Sequence, residues 1–377
     1  MIKFGMWSTL LLVGSLHGLV IASLLVAAPR NRTSNRFLAA LLCGVVLMIT
    51  PYTIGYAGFY DAYPWLTFAP FQWQLAFGPL LYFYVRQLDG GPLPPRWAWH
   101  FAPAVLQGLY YAVLFALPLS AKWAWDENGH GPFVMPALNI AILFSISVYW
   151  WLAWRRYRDD QRWLEANSAR REELRLGWLR GFLCAVAFVV VLNAGFQAVD
   201  RWVGALDYYD YFPFYLVLSL LVYYLGIEGW RHALITFPAR SAGDVAPASD
   251  EHETPPAVTP RDWHGLGERW ARQVTTAGWW REPDLALADL SRRLGTNTQY
   301  LSRALNEGLG VSFSAFVNGL RVDEAKRLLD GTADVLSIAL EVGFGSKSSF
   351  NRAFQAHAGM TPSAWRTRQR VSDPENP

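Results

Sequence analysis

The sequence has a low proportion of charged residues, and the shortage is confined to one part of the chain. Charged side chains make up 17% of the 377 residues, whereas a soluble globular chain has about 25%. Residues 1–237 contain long uncharged runs, while residues 261–377 have the charge content of an ordinary globular domain. This distribution excludes a single soluble domain, and the net charge of +3 is too small to indicate nucleic-acid binding by itself.

Signatures of disulfide, metal and catalytic chemistry are also missing. The two cysteines, Cys43 and Cys184, each lie in an apolar run, where a thiol most often packs as a small hydrophobic group, so we expect no disulfide. The seven histidines have no metal-ligand spacing, and the chain has neither a phosphate-binding loop nor a GxSxG motif. The sequence therefore predicts no catalytic residue, no metal, no cofactor and no enzyme activity.

Long apolar segments dominate the first 237 residues. A helix that crosses a membrane needs about 20 mostly apolar residues, and tryptophans cluster near the ends of such segments here, as expected for the membrane interface. We interpret the first segment as a retained span and not as a cleaved signal peptide. Seven spans are predicted, at residues 6–28, 37–58, 66–85, 98–119, 134–154, 179–199 and 211–229.

Positive charge marks every second loop between these segments. Arginines cluster after the first, third and fifth segments, most densely between Arg155 and Arg180, whereas the other loops carry one Lys or Arg at most. Because basic loops stay in the cytoplasm, the N-terminus is predicted to face outward and the C-terminal part to lie in the cytoplasm.

A tether and a small helical domain follow the last span. Residues 238–262 are rich in Pro, small and acidic residues, a composition typical of a flexible linker. Hydrophobic spacing then predicts helices over residues 263–276, from Pro283 to Gly295, over 298–307 and over 312–330. A second pair of helices follows around a glycine turn, with Val335, Ile338 and Phe350 facing inward. The predicted fold is all-α: a seven-helix transmembrane bundle, a linker, and two helix-turn-helix units joined by one helix.

The residues of this last region carry a family resemblance. The segments "RVDEAKRLL", "SIALEVGFGSKSSFNRAF" and "GMTPSAWR" resemble the DNA-binding domain of the AraC/XylS family of bacterial transcription regulators. The resemblance covers residues from about 263 to 368 and implies that the second helix of each unit enters the major groove. The predicted domains are 1–237 as a seven-span sensor, 238–262 as a linker, 263–370 as an AraC-type domain and 371–377 as a disordered tail. With the predicted spans, the resemblance implies a multi-pass protein of the bacterial inner membrane.

The resemblance assigns DNA-contacting residues by position. Arg suits the two acceptors of guanine, Gln or Asn suits adenine, and Ser is permissive. Residues beside a helix N-terminus are instead suited to the phosphate backbone. The predicted base contacts are Gln299, Ser302, Arg303, Lys347, Ser348, Asn351 and Arg352, and the predicted phosphate contacts are Thr296, Asn297, Thr298 and Ser346.

Polar residues in the apolar segments are the candidates for sensing, because such residues are costly at membrane depth. Helix-to-helix hydrogen bonding is the simpler role for most of them. Gly14 and Gly18 form a GxxxG motif that suits close helix approach, including approach between two copies of the chain. The candidates are His17, Gln72, Gln74, Gln107, Asn139, Asn193 and Gln197.

Three interpretations of the whole chain are consistent with these features. The first is a membrane-bound, sequence-specific transcription regulator that senses a signal through its spans. The second is a transporter or membrane enzyme with a fused DNA-binding module, and the third makes the spans a passive anchor. For the first, the expected partners are promoter DNA, the lipid bilayer, a small-molecule or membrane ligand, a second copy of the chain and RNA polymerase.

Overall fold

The computed structural model describes residues 2–168, 177–204, 206–234 and 262–372. These residues form helices joined by turns, and no β-strand occurs among them, so the prediction of an all-α chain is confirmed. The helices are α1 Met6–Ala27, α2 Arg32–Tyr56, α3 Phe59–Ala62, α4 Phe77–Arg86, α5 Ala102–Phe115, α6 Leu119–Trp125, α7 Met135–Asn167, α8 Gly177–Trp202, α9 Phe212–His232, α10 Trp263–Ala277, α11 Leu287–Arg293, α12 Thr298–Arg303, α13 Phe313–Leu328, α14 Val335–Glu341, α15 Lys347–Ala358 and α16 Pro362–Ser372.

The chain divides into two compact units. One contains Met1–Tyr157 and Gly177–Pro247, and the other contains Arg158–Leu176 and Ala248–Pro377. The predicted linker, residues 238–262, lies outside the described residues except for Asp262, whose carboxylate accepts a hydrogen bond from the Gly265 N–H at the start of α10. Helix α16 runs to Ser372, so it extends beyond the predicted domain end at residue 370, and residues 373–377 lie outside the described part.

Five helical stretches of the described chain are long and apolar enough to cross a membrane. They are Met6–Ala27, Arg32–Tyr56, Leu119–Leu164, Gly177–Trp202 and Phe212–His232. They coincide with the predicted first, second, fifth, sixth and seventh spans. Many of their large apolar side chains are exposed, such as Phe144 at 71% and Val191 at 69%, as expected of side chains that face lipid.

The third and fourth predicted spans form shorter α-helices than the sequence pattern indicated. Residues 57–73 contain only short helical turns, and continuous helix begins at Gln74 and continues into α4, which is 10 residues long. Pro64 and Pro70 have no backbone N–H, so a regular helix cannot run through this region. The fourth segment starts with 3₁₀ turns at Trp97–Phe101 before α5, which has 14 residues.

Two glycines set the contact between α1 and α9. A Cβ added to Gly14 would lie 2.8 Å from the Ser219 Cβ, and one added to Gly18 would lie 2.7 Å from a Val222 methyl. The GxxxG motif therefore serves close packing within one chain, and this surface is not open for contact between two copies. Cys43 is partly buried, whereas Cys184 is exposed, so the prediction that both thiols pack in a core is wrong for Cys184.

The C-terminal unit has its own hydrophobic core, built around α13. Val317, Val322 and Ala325 of this helix are fully buried, and Ile338 and Phe350 from α14 and α15 pack into the same cluster. The predicted helix from Pro283 starts four residues later, at Leu287, because the Asp289 carboxylate caps the chain by accepting from the Ala286 N–H. The remaining predicted helices of this unit are confirmed to within a few residues.

Candidate nucleic-acid interface

The first helix-turn-helix unit consists of α11 and α12. Gly295 in the turn has a φ of +65°, a left-handed conformation that glycine adopts without steric cost. The side chain of Asn297 then accepts a hydrogen bond of 2.8 Å from the Tyr300 N–H and caps α12. Helix α12 continues as a wider π-helical turn over Ala304–Gly308, and Leu301 and Leu305 anchor it in the core.

The second unit, α14 and α15, repeats this arrangement. Gly343 has a φ of +96°, and Ser346 caps α15 by accepting a hydrogen bond of 3.2 Å from the Ser349 N–H. Phe350 and Phe354 lie on the inner face of α15 and are fully buried. The pKa of the Asp334 carboxyl, which caps α14, is lowered mainly by the hydrogen bond it accepts from the Leu336 N–H.

Counting from the two caps, Asn297 and Ser346, places the two reading helices in register. Gln299 then corresponds to Ser348, Ser302 to Asn351, and Arg303 to Arg352. The buried apolar residues correspond in the same way, so that each reading helix presents an equivalent polar face outward. This internal repeat means that the exposed positions of both helices follow from one helical geometry.

The predicted base-contacting residues lie on these outward faces. Gln299, Arg303, Lys347, Ser348 and Arg352 are exposed. Ser302 and Asn351 are partly buried at the edges of the same faces. The structure therefore brings the predicted set together as two polar stripes, one on each reading helix, while their contact with bases stays a prediction.

The predicted phosphate-contacting residues lie at the N-termini of the reading helices. Asn297 and Ser346 already use their side-chain oxygens as helix caps, so a phosphate contact from them would share that oxygen or use the backbone N–H. Thr296 and Thr298 flank the Asn297 cap and are partly exposed.

Arg303 is held by two neighbours. Its Nε lies 2.9 Å from Glu307 Oε1 and its Nη2 lies 3.3 Å from Oε2, and this hydrogen bonding raises the pKa of the guanidinium. The same guanidinium lies 4.7 Å from the centre of the Trp263 ring, which adds a cation–π contact. Trp263 is the first residue of α10, so α10 contacts the first reading helix through Arg303.

Arg321 joins several parts of the unit and was not predicted as a core residue. It is 1% exposed, and its guanidinium donates to the Trp280 carbonyl at 2.8 Å and to the Glu282 carbonyl at 2.6 Å. It also lies 5.4 Å from the centre of the Phe344 ring, in the turn of the second unit. The apolar stripe predicted for α13 did not include Arg321, because a charged residue in a helix is normally solvated.

Two further residues extend the outward stripes and were missed. Asn306 follows Ser302 by one turn and donates a hydrogen bond of 3.1 Å to the Ser302 hydroxyl. Gln355 occupies the equivalent position of the second unit, and both residues are exposed. Continuing the helical spacing of the predicted set by one turn would have found them.

The described residues contain no cluster of metal ligands. No group of three or more His, Cys, Asp or Glu side chains in this part of the chain could hold a metal ion. The polar faces of the reading helices are instead composed of amides, hydroxyls and arginines, which are the side chains that form hydrogen bonds with base edges.

Comparison with known proteins identifies the C-terminal region. Residues 290–368 match the family described as "Helix-turn-helix domain". An uncharacterized HTH-type transcriptional regulator of Staphylococcus aureus (strain MSSA476) is 39% identical over 84 residues, which are 22% of this chain and 11% of that protein. A second one, YisR of Bacillus subtilis (strain 168), is 35% identical over 81 residues, or 21% of this chain and 28% of that protein.

A solved structure is also similar to part of the chain. It is the C-terminal domain of AraT, a response regulator from Geobacillus stearothermophilus, with 24% identity, a TM-score of 0.26, and coverage of 30% of this chain and 88% of that one. The family match confirms an AraC-type helix-turn-helix domain at the C-terminus, and the matched residues do not extend into the N-terminal unit. The chain spans less than a third of the length of the two curated relatives.

Proposed function

We propose that the protein is a membrane-bound, sequence-specific DNA-binding transcription regulator whose N-terminal unit senses a signal. The observation that carries the DNA-binding part is the pair of equivalent polar faces on α12 and α15, each beginning at a capped helix N-terminus. The matched helix-turn-helix family and the printed names of the two relatives support the same assignment.

The two units would read one DNA site together. Helix α13 connects them within a single core, so two reading helices entering successive major grooves would contact half-sites about 10 base pairs apart. The domain has only a slight excess of Lys and Arg over Asp and Glu, and weak non-specific attraction makes the base contacts more important for affinity.

The test is sequence selection from a random duplex pool by the full chain in lipid nanodiscs. We expect an enriched motif with two halves about 10 base pairs apart. The Arg303→Ala/Arg352→Ala double variant should recover no such motif. An absence of enrichment by the intact protein, or the same motif from the double variant, would contradict the proposal.

The sensing role rests on the five helical stretches that are long and apolar enough to cross a membrane. A regulator that senses through its spans requires these particular helices, whereas a passive anchor requires only a membrane attachment. Replacing residues 1–237 with an unrelated multi-span anchor should therefore abolish the regulated change in target transcription. Unchanged regulation by the replaced chain would show that the spans act only as an anchor.

A further inference from the structure

The start of α10 packs directly on the π-helical turn that continues the first reading helix. A Cβ added to Gly308 would lie 2.2 Å from the Trp263 carbonyl oxygen. One added to Gly267 would lie 2.8 Å from the Ala304 carbonyl oxygen. The His264 Nδ1–H donates a hydrogen bond of 2.9 Å to the Gly308 carbonyl. Because both glycines let the two backbones approach closely, the start of α10 has a fixed place beside the first reading helix.

The Trp263 side chain rests on two residues of α12 that are about one turn apart. Its ring centre lies 5.9 Å from that of Tyr300, and the two ring planes are tilted by 32°. The same ring lies 4.7 Å from the centre of the Arg303 guanidinium. Trp263 is partly buried, whereas Tyr300 and Arg303 are exposed. The indole therefore lies beside the arginine for which a guanine contact is predicted, and it limits the directions that this guanidinium can take.

The contacts of Arg303 with Trp263 and with Glu307 differ in what they leave for DNA. A guanidinium bonds guanine through its N–H groups, and the Glu307 carboxylate accepts hydrogen bonds from two nitrogens of that group, Nε and Nη2. The face of an aromatic ring attracts the positive charge and accepts no conventional hydrogen bond. Trp263 can therefore stay in contact with Arg303 while the arginine bonds a base, whereas Glu307 has to release it.

The second reading helix has different residues at the positions equivalent to those around Arg303. In the register set by the two caps, Ser349 stands in the place of Tyr300, and Ala356 stands in the place of Glu307. Neither a ring nor a carboxylate is present at these two positions, so the two units hold their reading arginines in different ways. Trp263 also lies before residues 290–368, which the family match covers.

We propose that Trp263 is a positioning residue for Arg303 and thereby sets the guanine preference of the first half-site. This inference rests on the proposed function, in which Arg303 contacts a guanine, and it adds a residue from outside the helix-turn-helix unit to the recognition of that base. The ring restrains the guanidinium before DNA arrives, so less side-chain freedom is lost on binding. A cation–π contact at an exposed site corresponds to roughly a two- to fivefold change in affinity.

The experiment measures the affinity of the full chain in nanodiscs for the selected duplex and for duplexes in which one guanine is replaced by 7-deazaguanine, which lacks the N7 acceptor. The ratio of the two affinities is the guanine preference at that position. Arg303→Ala and Arg352→Ala identify the guanine of the first and of the second half-site, since each variant loses the preference for its own base.

The variants separate the ring face from apolar bulk. Trp263→Leu removes the ring and keeps an apolar side chain, Trp263→Phe retains a ring, and Trp263→Met is the second ringless variant if Trp263→Leu does not fold. Trp279→Leu is the matched control, because the Trp279 ring lies 5.6 Å from the guanidinium centre of Arg293, which belongs to α11 and not to a reading helix.

We expect the ringless variants to lower the preference for the first guanine roughly two- to fivefold and to leave the second unchanged. Trp263→Phe should lower it less, and Trp279→Leu should change neither preference. In the Arg303→Ala background, Trp263→Leu should have no further effect, because the tryptophan acts through that arginine.

An unchanged preference for the first guanine in the ringless variants, or an equal loss in Trp263→Leu and Trp263→Phe, would overturn the positioning role. A loss in both half-sites would overturn it in favour of a role in folding, and a loss that persists in the Arg303→Ala background would overturn it in favour of direct contact between Trp263 and DNA. Failure of the original chain to select any duplex would instead overturn the proposed function, and this inference with it.

Discussion

Arg303 and Arg352 occupy equivalent positions on the two reading helices, and each is exposed. If each contacts a guanine, replacing either with alanine should lower affinity for the selected site roughly ten- to a hundredfold, because a bidentate base contact is lost. Fluorescence anisotropy with the full chain in nanodiscs measures this change. Arg272→Ala, an exposed arginine on α10 paired with Glu268, is the matched control and should leave specific affinity unchanged. Equal losses in all three variants would indicate a general charge effect.

If Arg303 contacts DNA, Glu307 would compete with DNA for its guanidinium. Its carboxylate holds the Arg303 guanidinium at 2.9 and 3.3 Å, and it would also repel a nearby phosphate backbone. Glu307→Gln should therefore raise affinity for the selected site by a few-fold, and it should increase the salt dependence of binding less than an added phosphate-contacting lysine would. The same substitution in an Arg303→Ala background should have a smaller effect. A loss of affinity in Glu307→Gln would show that the ion pair positions Arg303 for DNA and does not restrain it.

The outward residues could be predicted from the sequence because the helical period fixes which positions share a face. Gln299, Arg303, Ser348 and Arg352 follow that rule, and so do the missed Asn306 and Gln355. Arg321 could not be predicted, since its burial depends on the carbonyls of Trp280 and Glu282, which reach it only after the chain has folded. Long-range partners of this kind leave no periodic signal.

At the scale of elements, the turns of the two helix-turn-helix units differ in how much space surrounds their glycines. A Cβ added to Gly343 would lie 2.3 Å from the Arg281 carbonyl oxygen, whereas one added to Gly295 meets no atom within 4 Å. Both residues have positive φ, so Gly295→Ala should cost about 1 kcal/mol, and Gly343→Ala should cost more because the Arg281 backbone must move.

Hydrogen exchange measured by mass spectrometry on the full chain tests this difference. Peptides from α14 and α15 should lose protection in Gly343→Ala, and those from α11 and α12 should lose less in Gly295→Ala. Equal loss in the two variants would mean that the conformation of the turn, and not the approach of Arg281, sets the requirement for glycine.

Helix contact in the N-terminal unit also depends on a glycine. In Gly14→Ala the new methyl group would press on Ser219 of α9, and overpacking of this kind costs about 1–3 kcal/mol. Gly195→Ala on α8 is the control, because a Cβ there meets no atom within 4 Å. The fraction of monodisperse protein after heating in detergent should fall for Gly14→Ala alone, and unchanged stability would contradict the assigned α1–α9 contact.

The element boundaries show where sequence patterns are insufficient. Apolar length alone predicted a third span from residue 66, but Pro64 and Pro70 prevent a regular helix before Gln74. Similarly, Pro283 and Asp284 are typical of a helix start, yet α11 begins at Leu287, where Asp289 provides the cap. In the third span the missing N–H groups of the prolines outweighed the hydrophobic pattern. At α11 the hydrogen bond between Asp289 and the Ala286 N–H outweighed it.

At the scale of the whole molecule, the chain combines a unit of long apolar helices with an AraC-type helix-turn-helix domain. The overall division could be predicted because charge and hydrophobicity differ so strongly between the two parts of the sequence. The close approach of Gly14 to Ser219 could not, since it joins α1 to α9, which are far apart in the sequence.

Genome-wide DNA occupancy of the intact chain in its own cells would decide whether the protein is a sequence-specific regulator. We expect discrete peaks that share a two-part motif and that disappear in the Arg303→Ala/Arg352→Ala variant at equal protein level. Membrane fractionation of the same cells establishes that the bound protein is the intact chain. The absence of discrete peaks from the intact protein, or peaks that persist in the double variant, would rule out sequence-specific DNA binding through these arginines.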